Sequence, residues 1–366
     1  MFRRRGIKGY PSSPYMKETY KEAMVLTAFE TPFRKKCTVL GIVIFVLIPF
    51  LFPPFIMHII NLAGIASIGA MALNLVTGTA GLLSLGQAGF MCAGAFTVGH
   101  LSSNMGMPIY VTLPAAGLIG AILGLFSGLP SLRLKGMYLG LGTLAMHYII
   151  YYIASEYQFN VGYSQGISIK DPSIGILTLS DKWSWYFFIW CFVWLTGLFI
   201  ANLMRSRPGR AWIAIRDRDI AAEVMGINIG YYKVLVFVVS TSIVSMAGGL
   251  YGYYTNLAAI EEYSFLLTIS YLAMIIVGGI GSILGSIMGA FLITLIPYGL
   301  IYLFGFWEVS GFLKDFFYAL ESGIFGLMII FFLFVEPLGM VEIWRRIRLF
   351  FELWPFKHKP LMITKR

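Results

Sequence analysis

Long apolar runs recur along almost the whole chain, and they constrain its fold more than any other feature. The hydrocarbon core of a bilayer is about 30 Å thick, so a helix that spans it needs roughly 20 mostly apolar residues. The stretches that meet this requirement are approximately residues 38–56, 57–76, 82–101, 107–130, 137–155, 184–203, 233–255, 265–280, 282–303 and 319–338. The sequence therefore predicts an all-α, polytopic integral membrane protein with about ten transmembrane segments.

Composition supports this class and excludes soluble ones. Of the 366 residues, 58% are hydrophobic and 12% are charged, whereas about 25% of residues are charged in typical soluble domains. The formal net charge of +10 could indicate a nucleic-acid-binding protein, but no basic stripe alternates with stacking aromatic side chains. A soluble enzyme and a nucleic-acid-binding protein are both excluded.

The positions of Lys and Arg predict the orientation, because these residues concentrate in cytoplasmic loops. Most of the 27 Lys and Arg residues fall in four segments that the span count places on one side of the membrane, namely 1–37, 133–135, 204–233 and 341–366. Both termini are therefore predicted to be cytoplasmic. This divides the chain into a cytoplasmic N-terminal segment (1–37), a transmembrane domain (38–340) and a basic cytoplasmic tail (341–366).

The N-terminal segment carries a helix signal of its own. Ser13 and Pro14 suit the N-cap and first position of a helix, and apolar residues then recur every four positions from Met16 to Ala28. We expect a short amphipathic helix on the membrane surface; a solvated helix without a membrane role is the alternative. Because the charged segment is too long for the start of a cleavable signal, we expect it to be retained.

Residues 74–94 read NLVTGTAGLLSLGQAGFMCAG and are rich in Gly and hydroxyl groups. A broken or re-entrant helix is one interpretation, and its open backbone would have to face protein or a watery cavity. The other is an ordinary helix that packs closely through its glycines, since Gly is frequent in transmembrane helices. Small residues also repeat every four positions at Gly120, Gly124 and Gly128 and again from Gly281 to Gly289, which predicts close helix packing.

Few features favour catalysis or metal binding. The cysteines Cys37, Cys92 and Cys191 form no close pair. No His has a second ligand at helical spacing, and no catalytic residue is predicted. His147 is best interpreted as a packing residue, although an intramembrane enzyme would require groups such as this one. The chain also lacks a Gly-Lys dipeptide and hence a Walker A loop, so it is not expected to hydrolyse ATP by itself.

No acidic or basic residue occupies the middle of a predicted span, whereas proton-coupled transporters usually place such residues there. Carbonyl and hydroxyl oxygens can still bind sodium, so an ion-coupled secondary transporter stays open. The segment 205–233 is more informative, because it is too apolar for a simple linker. In it, Asp219 is predicted to cap a short helix that ends at Gly226, with Glu223 near its positive end and Ile220 and Val224 on one face. Such a helix would suit the attachment of a motor subunit that moves the neighbouring spans.

Four stretches carry a resemblance to a known family. They are LNLVTGTAGLLSLGQAGFMCAGAF at 73–96, GMYLGLGTLAMHYII at 136–150, SRPGRAWIAIRDRDIAAEVMGINIGYYKVLVF at 206–237 and LLTISYLAMIIVGGIGSILGSIMGAFL at 266–292. Together they resemble the membrane permease subunits of branched-chain amino acid ABC importers. The resemblance implies a multi-pass protein of the cytoplasmic (inner) membrane that translocates amino acids by alternating access.

The resemblance also implies partners. These are two ATPase subunits that bind ATP and Mg²⁺, a second related permease that makes a heterodimer, and an external substrate-binding protein, while the chain itself needs no cofactor. Residues in the position of the family's ATPase-coupling helix are Asp219, Ile220, Ala221, Ala222, Glu223, Val224 and Gly226. Candidate pore-lining residues, predicted to offer hydrogen bonds to a polar solute or else to satisfy one another between helices, are Asn74, Thr77, Ser84, Gln87 and Ser282.

Two departures from the family pattern leave the substrate open. The family often has His where this chain has Gln87, and an acidic residue where residues 162–166 read GYSQG. Permeases of urea importers are close relatives of this family. Branched-chain amino acids are therefore the first expectation, and urea or another small polar solute is the alternative.

Overall fold

The computed structural model describes residues 51–161, 166–170, 172–174, 177–178, 182–305 and 339–353, with isolated residues at 45, 49, 323, 326, 327 and 330. The chain divides into two compact units, Met1–Pro53 and Pro54–Arg366. The second unit holds nearly all of the described residues and both sites discussed below. The predicted amphipathic helix within residues 1–37 lies outside the described residues.

The second unit is a helical bundle. In chain order its described helices are α1 (Pro54–Asn74), α2 (Gln87–Ser103), α3 (Ile109–Gly128), α4 (Met137–Asn160), α5 (Lys182–Arg205), α6 (Arg207–Asp217), α7 (Asp219–Val224), α8 (Ile229–Thr255), α9 (Phe265–Gly278), α10 (Ile283–Gly305) and α11 (Met340–Leu353). Single turns of other helix types occur at Leu75–Thr79, Pro130–Leu132 and Ile260–Tyr263. Apolar helices dominate because a helix satisfies all of its inner backbone hydrogen bonds within hydrocarbon.

Short strands close one end of the bundle. β1 (Ile167–Ser168) and β4 (Leu257–Ala258) pair antiparallel, with Ile167 opposite Ala258. Between them in sequence, β2 (Ser173–Ile174) and β3 (Leu177–Thr178) form a second antiparallel pair. The helices α6 and α7 lie at the opposite end. We refer to these as the strand end and the α7 end.

Eight of the predicted spans coincide with helices among the described residues, from 57–76 with α1 to 282–303 with α10. Within the part of the chain that the structure describes, five helical stretches are long and apolar enough to cross a membrane, namely Pro54–Thr79, Ile109–Leu132, Met137–Asn160, Trp183–Arg205 and Ile229–Thr255. α9 and the apolar part of α10 are shorter. The predicted spans 38–56 and 319–338 lie mainly outside the described residues, so the total of ten stays a prediction.

The third predicted span, 82–101, is the one whose start differs most. α1 ends in the π-turn Leu75–Thr79, residues 80–86 are not helical, and α2 begins only at Gln87. The broken-helix interpretation is therefore the correct one. Most residues of this open segment are buried in protein, as the absence of water in hydrocarbon requires. With 17 residues, α2 is about 25 Å long.

Glycines set the closest helix contacts, as their spacing predicted. Gly120 faces Thr241 and Ser245 of α8, and Gly128 faces Val234 of the same helix. Gly94 of α2 lies against the Ser245 carbonyl. In the second stripe, Gly285 and Gly289 pack α10 on α9, but Gly281 lies outside the helix. Backbone-to-backbone approach of this kind joins α2, α3 and α8 without intervening side chains.

Replacing Gly120 with Ala is expected to destabilise the bundle. The added Cβ would lie 2.5 Å from both the Ser245 Cβ and the Thr241 carbonyl oxygen, and overpacking of this kind costs about 1–3 kcal/mol. The thermal unfolding midpoint in detergent measures the effect. Gly299→Ala is the matched control, because a Cβ at that helical position meets no described atom within 4 Å. Equal midpoints for the two variants would contradict the packing argument.

Candidate functional site

Two interruptions in the helices meet at the α7 end of the bundle. One is the π-turn Leu75–Thr79 with the open segment that follows it, and the other is the break between α9 and α10 at residues 279–282. Gly279 and Gly281 have φ values of 123° and 84° in this second break, a region of conformational space that L side chains avoid. The backbone of Gly281 lies directly against Gly78. The candidate pore-lining residues predicted from the sequence include Thr77 and Ser84 at the first break and Ser282 at the second, but the contact between the two breaks was not predicted.

Asn74 holds the two interruptions together. Its Oδ1 accepts a hydrogen bond from the Gly281 backbone N–H at 2.7 Å. Its Nδ2 donates to the Ser282 carbonyl at 2.9 Å and to the Ser286 Oγ at 2.7 Å. Because Asn74 is 4% exposed, these bonds form away from bulk water, where an unsatisfied polar group is costly. We call this set of bonds the Asn74 clamp.

Arg216 of α6 reaches the same place from the other side. Its Nη1 donates a hydrogen bond to the carbonyl oxygen of Gly78 in the π-turn, and a Cβ on Gly281 would lie 3.3 Å from that nitrogen. The last carbonyls of a helix lack backbone partners and carry partial negative charge, which a cation satisfies. The guanidinium therefore connects the segment 205–233 to the helix interruption through one charged hydrogen bond.

The short helix α7 presents an apolar face to the surroundings. Ile220 and Val224 are 73% and 84% exposed, and Met225, which follows the helix, is 70% exposed. Ala222 is buried and holds the helix to the bundle. Gly226 ends the segment with φ 81°, so the predicted left-handed termination is confirmed. A helix with large exposed apolar side chains at the end of the bundle is suited to docking a partner.

Two details of this helix differ from the sequence prediction. Arg218 is the N-cap residue and Asp219 is the first helical residue, whose Oδ1 accepts from the Ile220 backbone N–H at 3.0 Å. Glu223 lies in the last turn of this 6-residue helix, so its charge is at the negative end and not at the predicted positive one. The helix ends at Val224, and the chain turns at Gly226 directly after it.

An ion pair fixes α7 to the loop before α4. The Lys135 Nζ lies 2.7 Å from the Asp219 Oδ2. The hydrogen bond between them lowers the pKa of the Asp219 carboxyl and raises the pKa of the Lys135 ammonium. Exposed pairs of this kind contribute little to stability. The pair instead sets where α7 sits relative to α4, since it joins residues 84 positions apart.

The five candidate pore residues do not form one lining. Asn74 and Ser282 are in the clamp, where they bond to one another. Gln87, at the start of α2, donates from Nε2 to the Gly69 carbonyl of α1 at 2.9 Å. Ser84 is buried in the open segment, and the Thr77 Oγ1 is buried without a partner among the described residues. Contact of these groups with a solute stays a prediction.

Two cavities are lined by opposite faces of α1. The α7-end cavity has a volume of about 530 Å³ and is lined at one side by Met71, Asn74 and Ser282. The strand-end cavity, of about 310 Å³, is lined by Leu62, Ile65 and Ala66 of the same helix. Ala66 and Met71 are about 7.5 Å apart along the helix axis. Gly69 lies against the Tyr271 ring on the strand-end face of α1, where a Cβ would be 2.7 Å from the nearest ring carbon, whereas Met71 and Asn74 lie on the opposite face of the helix.

Three functional residues of the sites described above, Arg216, Ser286 and Glu262, were not predicted from the sequence. The contact of Arg216 with Gly78 had no signal, because Arg216 was only one of several basic residues in its segment. Ser286 was part of the small-residue stripe, and its hydroxyl at the clamp was not foreseen. Glu262 lines the strand-end cavity and was not singled out, although a carboxylate three residues before an apolar run was a signal to examine.

Comparisons with known proteins agree with this architecture. The family described as "Branched-chain amino acid transport system / permease component" matches residues 55–333. The high-affinity branched-chain amino acid transport system permease protein LivM of Escherichia coli (strain K12) is 30% identical over 270 residues, which cover 67% of this chain and 64% of that protein. LivM of Salmonella typhimurium is 30% identical over 248 residues, which cover 61% of this chain and 58% of that protein.

A second group of relatives is named as sugar import permeases. The galactose/methyl galactoside import permease protein MglC of Escherichia coli (strain K12) is 26% identical over 287 residues, covering 68% of this chain and 81% of that protein. The matches to the two LivM proteins, in contrast, cover less than two thirds of the length of those proteins. No solved structure is significantly similar to it.

The match to the family extends over most of the chain and includes α1 to α10. Together with the apolar helices, it makes this chain a multi-pass integral membrane protein. The chain belongs to the family of branched-chain amino acid transport system permease components.

Proposed function

We propose that the chain is the permease subunit of an ATP-driven importer and that it translocates branched-chain amino acids across the cytoplasmic (inner) membrane. The observation that carries this proposal is the link between α7 and the helix interruptions. An exposed apolar helix is joined through Arg216 to the Gly78 carbonyl, and Gly78 lies against the break that Asn74 clamps. Movement of α7 by a partner would therefore reach the α7-end cavity directly.

In this proposal the α7 end faces the cytosol and binds the ATPases. Two ATPase subunits hold ATP and Mg²⁺, and the chain itself binds no cofactor. Residues 219–226 dock on one ATPase through Ile220 and Val224. A second related permease completes the membrane unit as a heterodimer, and an external binding protein delivers the solute to the strand end.

Alternating access would open the solute path to the strand end and to the α7 end in turn. The strand-end cavity accepts the solute from outside, while the packed layer at Gly69 and Tyr271 blocks its passage. Release to the cytosol requires the Asn74 clamp to open, because its bonds join the two interruptions beside the α7-end cavity. The uncharged polar groups there would bind a solute weakly, which suits release.

The similarity to LivM supports branched-chain amino acids as substrates, whereas the similarity to MglC favours a sugar as the alternative. Urea and other small polar solutes form a third group. An ion-coupled secondary transporter would need no ATPase, and the exposed apolar face of α7 would then have no partner.

Reconstitution tests the proposed function. The tagged chain is purified from its native host, and the proteins that co-purify with it are identified. The complex is then placed in liposomes with ATP inside, and with the host's binding protein and labelled leucine, galactose or urea outside. Co-purification of ATPase subunits and ATP-dependent leucine uptake are expected. Uptake by the chain alone, driven by an ion gradient, would refute the proposal.

Substitution of Arg216 by Leu is expected to uncouple transport from ATP hydrolysis. The variant loses the charged hydrogen bond to Gly78, a kind of bond worth about 1.5–3 kcal/mol, so uptake should fall roughly tenfold or more. ATPase subunits should still co-purify, because the α7 face is unchanged. The control is Arg218→Leu, since Arg218 is an exposed neighbour on the same segment. Similar uptake by the two variants would rule out transmission through Arg216.

A further inference from the structure

The strand-end cavity has a size and a lining that fit a small organic solute. Its volume of about 310 Å³ is at the lower end of the range for small-molecule sites, which is roughly 300–1,000 Å³. Its walls come from α1, α2, α8, α9 and α10. Apolar side chains dominate the lining, among them Leu62, Ile65, Met91, Met274 and Ile293.

Among the described residues that line this cavity, Glu262 is the one that carries a charge. It lies in the single turn Ile260–Tyr263, directly before α9. That turn is held in place by the Gln158 Oε1, which accepts from the Ile260 backbone N–H at 3.1 Å, and by the buried Tyr263. The carboxylate is therefore presented to the cavity by a fixed piece of backbone.

The carboxyl group is incompletely satisfied. Its Oε2 is buried and has no hydrogen-bond partner among the described residues. Burial raises the pKa of the Glu262 carboxyl; the Tyr251 hydroxyl opposes this change, and the neighbouring Glu261 adds to it. A half-buried carboxylate with one buried, unpartnered oxygen is costly, so a ligand that brings a positive charge and hydrogen-bond donors would gain free energy here.

An ammonium group supplies both the positive charge and the hydrogen-bond donors. A sugar or urea offers donors but no charge, so the carboxylate would keep its electrostatic cost. The described part of the cavity lining contains no Lys or Arg that competes for the carboxylate. Apolar walls next to this group suit an aliphatic side chain, because burial of apolar surface is favourable.

The geometry points to Glu262 as the binding site for the ammonium group of a solute in the strand-end cavity, with the solute's aliphatic portion against the apolar wall. This deepens the proposed function, on which it rests: it assigns the substrate class to ammonium-bearing aliphatic solutes, such as branched-chain amino acids, and names the residue that selects them. The solute's carboxylate would point toward the open strand end, where water solvates it.

Direct binding to the complete importer tests this assignment. The complex with its ATPase subunits is placed in nanodiscs without the external binding protein, and labelled leucine is bound at equilibrium. Glu262→Gln keeps the shape of the side chain and removes its charge. It should weaken leucine binding about tenfold or more, whereas the control Glu261→Gln, at the exposed neighbour, should stay within about twofold of the native protein. Glu262→Asp should retain part of the binding.

Competitors separate the two ends of the solute. Isopentylamine carries the ammonium without the carboxylate and should displace leucine, while 4-methylpentanoate carries only the carboxylate and should not. Equal leucine binding by Glu262→Gln and Glu261→Gln would overturn the assignment, and so would stronger competition by the acid than by the amine. Lack of leucine binding by a native complex that imports leucine with ATP would also overturn it. Lack of ATP-driven uptake by the native complex refutes instead the proposed function.

Discussion

An aspartate at both Ile220 and Val224 is expected to abolish ATP-driven uptake. These two side chains form the exposed apolar face of α7, at 73% and 84% exposure, and they lie four residues apart on one side of the helix. In the docked complex each carboxylate would be buried without a partner, and losses at such central contacts reach about 2 kcal/mol or more each. The ATPases should therefore bind more than about a hundredfold more weakly.

Co-purification and uptake measure this effect together. The double variant should lose the ATPase subunits and reduce uptake to the background of protein-free vesicles, while the permease itself stays folded because the altered side chains contact little of it. The matched control is Ile220→Val with Val224→Ile, which keeps an apolar face of the same total size. Retention of the ATPases by the aspartate variant would show that α7 is not the docking surface.

Asn74→Leu is expected to cause a comparable loss by a different route. The leucine has a similar size but makes none of the three bonds to Gly281, Ser282 and Ser286. The buried Gly281 N–H is left without its acceptor, and each buried polar group left unsatisfied costs about 1–3 kcal/mol. Uptake should fall at least roughly tenfold, and the thermal midpoint should drop.

Uptake by the reconstituted complex and thermal unfolding in detergent test this prediction. Asn104→Leu is the control, because Asn104 is exposed at the other end of the bundle. A variant at residue 74 with the native midpoint and native uptake would show that the clamp is dispensable. A native midpoint with altered solute preference would instead favour the pore-lining role first predicted for Asn74.

Hydropathy and small-residue spacing predicted the larger part of the fold. The length of each apolar run defined α1, α3, α4, α5 and α8 within a few residues, because the bilayer sets that length directly. The four-residue spacing of Gly120, Gly124 and Gly128 likewise predicted a packing face, since one side of a helix repeats at that interval. Both signals are local, so one sequence is enough to read them.

The site was harder to predict because its bonds join distant residues. Asn74 and Gly281 are 207 positions apart, and Arg216 and Gly78 are 138 apart. The polarity of residues 74–94 indicated an unusual segment, but it did not indicate which helix would pack against that segment. The N-cap residue of α7 is Arg218 and not the predicted Asp219. The prediction was off by one position because residues 217–219 are all polar and the helix could begin after any of them.

The interlocked backbones of α2, α3 and α8 limit how the protein can move. Gly94 meets the Ser245 carbonyl, Gly248 meets the Met91 carbonyl, and Gly120 meets the Thr241 carbonyl. Helices slide past each other by small rotations of side chains at their contact, and these contacts have backbone where such side chains would be. We therefore expect α2, α3 and α8 to move together as one block, and α9 and α10, which meet through Gly278, Gly285 and Gly289, to move as a second block against it.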